Sequence, residues 1–152
     1  MGNQSNHNNK RSAIDSLYYS WYLRVCIKLL IMKILVTHSS GFDYQNELYI
    51  PLRNSAMNTT HEIILPHESG KQRVNTTEII QSIDLVIAEC SYPSTGQGIE
   101  LGLAWANKVP VLCVYKTGSV ISSALNYVTK DFIEYSDTND LIDQLTKRLS
   151  NN

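Results

Sequence analysis

Glu100 is the residue best placed for chemistry in this chain, set in the run Cys90–Lys108, CSYPSTGQGIELGLAWANK. The run follows an apolar stretch, Leu85–Ala88, that reads as a buried strand. It opens with the turn formers Ser91, Pro93, Ser94, Gly96 and Gly98, and it passes into a helical pattern near Ile99. A strand end, a glycine-rich loop and a helix start form the junction at which parallel α/β folds bind ligands, outside the carboxyl ends of the strands. The first-turn N–H groups of such a helix lack partners within it and sit at the positive end of its dipole, which favours an anion. Glu100 falls in that first turn on this reading, where the dipole favours a carboxylate. A carboxylate at the mouth of a pocket can attack a sugar carbon. A first-turn glutamate also serves simply to stabilise its helix, and spacing alone leaves both uses open.

The elements that must position this junction alternate in type. Lys33–Thr37 reads as a first strand, followed by a loop containing Ser39, Ser40 and Gly41. Asp43 can cap a helix over Tyr44–Met57, which Pro51 should kink or divide. His61–Leu65 is a second strand, and the polar stretch 66–74 a loop whose Lys71 or Arg73 could cover the pocket. Asn75, with Glu78 three positions on, resembles a capping box for a short helix, Thr76–Ser82. Asp84 starts the third strand, far from the ligand edge, and reads as structural, whereas Glu89 ends that strand and could support the site. Gly98, Gly102 and Ala106 share one helix face, which suggests close approach to the sheet. Pro110 opens an apolar fourth strand, residues 120–128 are weakly helical, and Asp131–Tyr135 is a fifth strand. A final amphipathic helix, capped by Asp137 or Thr138, carries Leu141, Ile142, Leu145 and Leu149. The expected fold is a flavodoxin-like or Rossmann-like three-layer α/β domain with a five-stranded parallel sheet in the order 2-1-3-4-5.

The segments PSTGQGIELG and LAWANKVPVLCVYK closely resemble the nucleoside 2-deoxyribosyltransferase superfamily. They are most similar to its branch of 2'-deoxynucleoside 5'-phosphate N-hydrolases. The match is strong at residues 84–116 and weaker from Lys33 to the last helix. The resemblance implies that Glu100 attacks the anomeric carbon of a deoxyribosyl group and that Ser94 contacts a 5'-phosphate. It implies substrate contacts at Ser39, Ser40, Gly41, Gly96 and Gly98, and a contact to the phosphate from Ser122 of a neighbouring subunit, with Asn126 a transferase-like candidate nearby. Two departures stand out. Residues 37–44 hold no arginine to grip a phosphate, and Thr76 occupies the place of an aspartate that helps protonate the departing base. Glu78 and Glu68 are the nearest substitutes. The function implied is cleavage or transfer at the N-glycosidic bond of a 2'-deoxynucleoside or its 5'-monophosphate. The alternative is a nucleotide-binding α/β module without catalysis.

The chain of 152 residues suits one domain with a real core. A formal net charge of −1 gives no electrostatic case for a nucleic acid polymer. Cys26, Cys90 and Cys113 have neither metal nor disulfide spacing, which fits a reducing cytoplasm, and neither a metal nor a cofactor is expected. Residues 1–16 are polar and asparagine-rich; residues 17–31 are apolar but interrupted by Arg24 and Lys28, too short and too charged for a membrane span, with an amphipathic interfacial helix the alternative if they are translated. The domain is expected over 32–152, with residues 1–31 an extension and Met32 the native start. Trp105 and Tyr127 suggest a subunit contact, hence a homodimer.

Overall fold

Unbroken apolar runs build the centre of the sheet. In the computed structural model, which describes residues 31–68 and 75–150, β1 (Lys33–Thr37) lies between β2 (Glu62–Ile64) and β3 (Leu85–Glu89). β4 (Val111–Lys116) and β5 (Phe132–Tyr135) extend the sheet beyond β3. Every pairing is parallel and the order is β2-β1-β3-β4-β5, as the alternating pattern predicts. The chain divides at Ile31/Met32. The expectations for residues 1–30, and for Lys71 and Arg73, lie outside the described residues.

Successive strand side chains point to opposite faces, so each strand feeds two cores. Ile34, Val36, Ile87 and Val114 pack with Leu141, Leu145 and Leu149 on one face. Leu35, Val86, Ala88 and Cys113 pack with Leu101 and Ala104 on the other. The leucines of the first face belong to the last helix, Thr138–Ser150, which Asp137 caps by accepting the N–H groups of Asn139 and Asp140 at 2.8 and 3.1 Å.

The expected helix over 44–57 is divided. A π-helical turn, Gln45–Tyr49, runs into α1 (Ile50–Asn54), and α2 (Met57–Thr60) follows after Ser55 turns extended. Pro51 has no N–H for the ordinary helical bond and its ring crowds the carbonyl one turn back. The ladder shifts there to a wider bond, Ile50 N–H to Gln45 O. After β2 come α3 (Thr76–Ile79) and a 3-10 turn, Ile80–Ser82. Asn75 caps α3, with its Oδ1 accepting from Thr77 N–H and its Nδ2 donating to Glu78. Asp84 is structural, accepting the Lys33 N–H at 2.7 Å.

The helix after β3 begins earlier than its glycines suggest. α4 runs Thr95–Ala106, with Ser94 extended and its Oγ accepting the Gln97 N–H at 3.2 Å. Gly96 and Gly98 are therefore helical, at a propensity cost of roughly 1 kcal/mol each that the cap and packing offset. Glu100 sits in the second turn rather than the first, so the first-turn dipole argument does not apply to it. The buried face is Gln97, Leu101 and Ala104. A Cβ at Gly98 or Gly102 would meet nothing within 4 Å, so the small-residue face does not press on the sheet. The larger apolar residues choose the inward side. α5 is a single turn, Leu125–Val128, and α6 is the last helix described above.

Because Ser94 supplies the cap, Ser94→Ala is expected to destabilise the domain by about 1 kcal/mol, and Ser94→Asp, an equally good cap, to stay within a few tenths. Urea denaturation of the two variants checks this; equal losses would remove the capping role.

Candidate functional site

Glu100 reaches back from α4 to the end of β1. Its Oε2 accepts a hydrogen bond from the Thr37 hydroxyl, and its Oε1 accepts one from the Thr76 hydroxyl at 3.1 Å. Thr37 is the last residue of β1, 1 % exposed, and Thr76 is the first residue of α3. Two neutral donors from two elements thus hold both oxygens of one carboxylate and fix its orientation. The residue in the place of the expected aspartate is therefore in contact with Glu100, as a hydroxyl rather than an acid. Neither substitute acid joins it: Glu78 partners Asn75, and Glu68 forms a two-pronged pair with Arg53 at 2.8 and 3.0 Å.

The residue after Thr37 begins a second constellation. His38 is buried; its Nδ1 lies 2.7 Å from the Ser39 carbonyl and its Nε2 2.7 Å from the Tyr49 hydroxyl. A carbonyl only accepts, which assigns the proton to Nδ1 and leaves Nε2 to accept from Tyr49. The Tyr49 oxygen in turn accepts the His67 N–H at 3.2 Å. Neutral imidazole satisfies every member of this chain, and burial pushes the His38 pKa down. Burial likewise pushes the Tyr49 phenol up. Tyr44 lies over the His38 ring at 4.3 Å between centroids, and Phe42 stacks on Tyr92 at 4.9 Å, joining the loop after β1 to the loop after β3.

Glu89 ends β3 fully buried. Its Oε1 accepts from Tyr135 at 3.0 Å and from the Ser91 N–H at 3.2 Å, while Oε2 has no hydrogen-bond partner. Burial raises its pKa, opposed by the bonds from Ser91 and Tyr135. Cys90 and Cys113 are both buried; the neighbouring Cys113 thiol and burial push the Cys90 thiol up, so it is not a reactive thiolate. Among the described residues no group of three histidine, cysteine or carboxylate side chains could hold a metal ion.

A cavity of about 440 Å³ opens beside the α4 N-terminus, lined by Ser94, Gln97, Gly98, Leu101 and Ser122 among others. The structure therefore gathers Ser94, Gly98 and Ser122 in one place, within a single chain. Glu100 and the first-loop residues do not line this cavity. Ser39 is buried and its Oγ accepts the Gly41 N–H at 3.1 Å, whereas Ser40 and Gly96 are exposed. Ser122 accepts the Ala124 N–H at 3.3 Å, the ordinary turn-capping use of a serine. Sequence reasoning missed Thr37, His38, Tyr49 and Gln97. Thr37 and His38 carry a usable signal, since polar residues directly after an apolar strand stand at the ligand edge of such a sheet. Tyr49 carries none, because a π-helical turn sets its direction.

No family model matches the chain. A curated protein of Methanosarcina barkeri (strain Fusaro / DSM 804) described as "Putative 2'-deoxynucleoside 5'-phosphate N-hydrolase 1" is 32 % identical over 72 residues, 47 % of this chain and 40 % of that protein. The chain thus aligns with less than half the length of the curated relative it matches. The CMP N-glycosidase BcmB of Clostridium botulinum superposes with a TM-score of 0.54 at 18 % identity, covering 75 % of this chain and 99 % of that one. A conserved protein from Enterococcus faecalis V583 gives 0.50 at 18 % identity over 77 % of this chain and 99 % of its own. At that identity the solved structures establish the three-layer α/β fold. The curated relative supports the resemblance to the nucleoside 2-deoxyribosyltransferase superfamily.

The His38 network carries a pH signature. The unfolded chain protonates the imidazole near its ordinary value of 6.5, and the folded chain only below that. Between those values the unfolded state binds the extra proton, so His38 weakens the fold as pH falls from 7 towards 5, by at most about 1.4 kcal/mol per unit. Glu89, raised by burial, acts with the opposite sign: its contribution to stability grows as pH falls through its folded pKa. The comparison must therefore be between the parent and His38→Gln. The parent should lose more stability than the variant over pH 7 to 5 by urea denaturation; equal losses would contradict a neutral buried imidazole.

Proposed function

We propose that the protein cleaves or transfers at the N-glycosidic bond of a 2'-deoxynucleoside or its 5'-monophosphate, with Glu100 as nucleophile. The observation that carries this reading is the Glu100 carboxylate, held at the carboxyl edge of a parallel sheet by hydroxyls from β1 and α3. The N-hydrolase description of the curated relative supports the substrate class. In the proposed reaction a Glu100 oxygen bonds to C1' of the sugar, and the base leaves with the electrons of the C1'–N bond and takes up a proton. Water then attacks C1' and frees the carboxylate, giving hydrolysis, or a second base does so, giving transfer. Ser94, Gly98 and Ser122, which share the neighbouring cavity, are the proposed contacts to the far end of the substrate; Ser39, Ser40, Gly41 and Gly96, outside that cavity, are proposed as further contacts at the same sheet edge. A second reading, binding without cleavage, is favoured by Thr76, a hydroxyl where an acid is expected.

We further propose a homodimer. Trp105 and Ile99 on α4 are each 62 % exposed, and Tyr127 on α5 is 85 % exposed. Single exposed apolar residues are ordinary, but large ones on neighbouring helices suit a subunit contact. Ser122 and Ser94 already share a cavity within one chain, so their meeting does not require a partner.

Incubation with deoxynucleosides and their 5'-monophosphates, with and without an acceptor base, separates hydrolysis from transfer. Glu100→Gln, which keeps an acceptor for one threonine, should lower base release by roughly three orders of magnitude or more with the fold retained by circular dichroism. Parent-like activity would defeat the covalent route, and tight binding with no base release from the parent would favour the second reading. Trp105→Glu should shift sedimentation from dimer to monomer; a parent that already sediments as a monomer at micromolar concentration would remove the dimer.

A further inference from the structure

The side chain of Gln97 is 5 % exposed, yet it belongs to no apolar cluster. Its Nε2 donates to the Glu89 carbonyl at 2.6 Å and to the Thr37 carbonyl at 3.3 Å. Those carbonyls belong to the last residues of two adjacent inner strands, β3 and β1, just where the ladder between them gives out at Thr37 and Ala88. An amide nitrogen has two hydrogens, so one side chain satisfies both strand ends and pins α4 across the join. The consequence is specific because Thr37 is gripped twice: its carbonyl accepts from Gln97, and its hydroxyl donates to Glu100. Gln97 and Glu100 are three residues apart on α4, neighbours along the helix surface. Strand end, amide, helical turn and carboxylate form a closed loop of contacts.

We infer that Gln97 is a positioning residue for Glu100, fixing where α4 stands on β1 and so where the carboxylate meets its substrate. As a statement about catalysis this rests on the N-glycosidic reading above; as a statement about geometry it does not. The plain alternative is that Gln97 only satisfies buried carbonyls, which matters to stability and not to the placement of Glu100. Both donated bonds use the amide hydrogens, so no apolar side chain can replace the link, and a shorter amide cannot span the same distance.

The test compares the parent with Gln97→Met, similar in length and without the two donors. Crystal structures decide the geometric claim whether or not any base is released. The Glu100 carboxylate is expected to leave the Thr37 hydroxyl in the variant, and a carboxylate found in place would overturn the proposal. Kinetics decide the catalytic claim: kcat should fall about a hundredfold, as a misplacement near 1 Å costs, with KM within about threefold. Values of kcat and KM per folded molecule within twofold of the parent would overturn it. Should the methionine variant not fold, Gln97→Asn takes its place in both measurements. A parent that releases no base, or a Glu100→Gln variant as active as the parent, would defeat the N-glycosidic reading while the crystal structures still decide the positioning.

Discussion

The end of β1 is the point on which this structure turns. Thr37 closes β1, which pairs with the central strand, and its carbonyl and hydroxyl are both committed to α4: the carbonyl to Gln97 and the hydroxyl to Glu100. In a parallel sheet the strand ends leave carbonyls that no further strand satisfies, and buried ones are costly to abandon. Here the helix that follows β3 supplies the missing donor from its first turn and sends a carboxylate back from its second. That explains why the helix starts at Thr95, through two glycines, rather than at Ile99. Ser94 caps it there, and only from that start do residues 97 and 100 both face the strand ends.

The same edge holds polar groups that burial keeps neutral or biases towards neutrality. His38 is neutral because its two nitrogens meet a carbonyl and a phenol, one bond donated and one accepted. Glu89 is buried with one oxygen partnered and the other without a partner, and burial favours its protonated form. Between them Glu100 has hydroxyl donors on both oxygens. Its surroundings differ from those of Glu89 in how the donors are shared: Glu100 has one on each oxygen, Glu89 two on Oε1 and none on Oε2.

Much of the fold was legible because it rests on period and punctuation. The apolar runs at 33–37, 85–89 and 111–116, alternating with helical segments, fit strands of a parallel sheet covered on both faces, and the leucine stripe of the last helix faces a core. The start of α4 was misread because glycine signals a loop in sequence, whereas a serine cap and a buried glutamine outweigh two glycines once tertiary contacts form. The small-residue face of α4 misled for a related reason: spacing shows which residues share a face, not which face turns inward. Of the candidate site, Glu100 and Ser94 stand out from residue type at a strand–helix junction. Its supports were not, because Thr37, Thr76 and Gln97 converge from three separate elements and no local pattern announces such a meeting.

The central claim is that the carboxylate held by Thr37 and Thr76 forms a bond to a sugar carbon. A 2'-deoxy-2'-fluoronucleoside tests it most directly, since the electronegative substituent destabilises the oxocarbenium-like transition state of deglycosylation and lets a glycosyl-enzyme accumulate. Protein incubated with that compound, digested and mapped by mass spectrometry, should carry one fluorodeoxyribosyl group on Glu100 with the free base released in equal amount. Base released with no adduct on the protein, or an adduct on any other residue, would contradict the account.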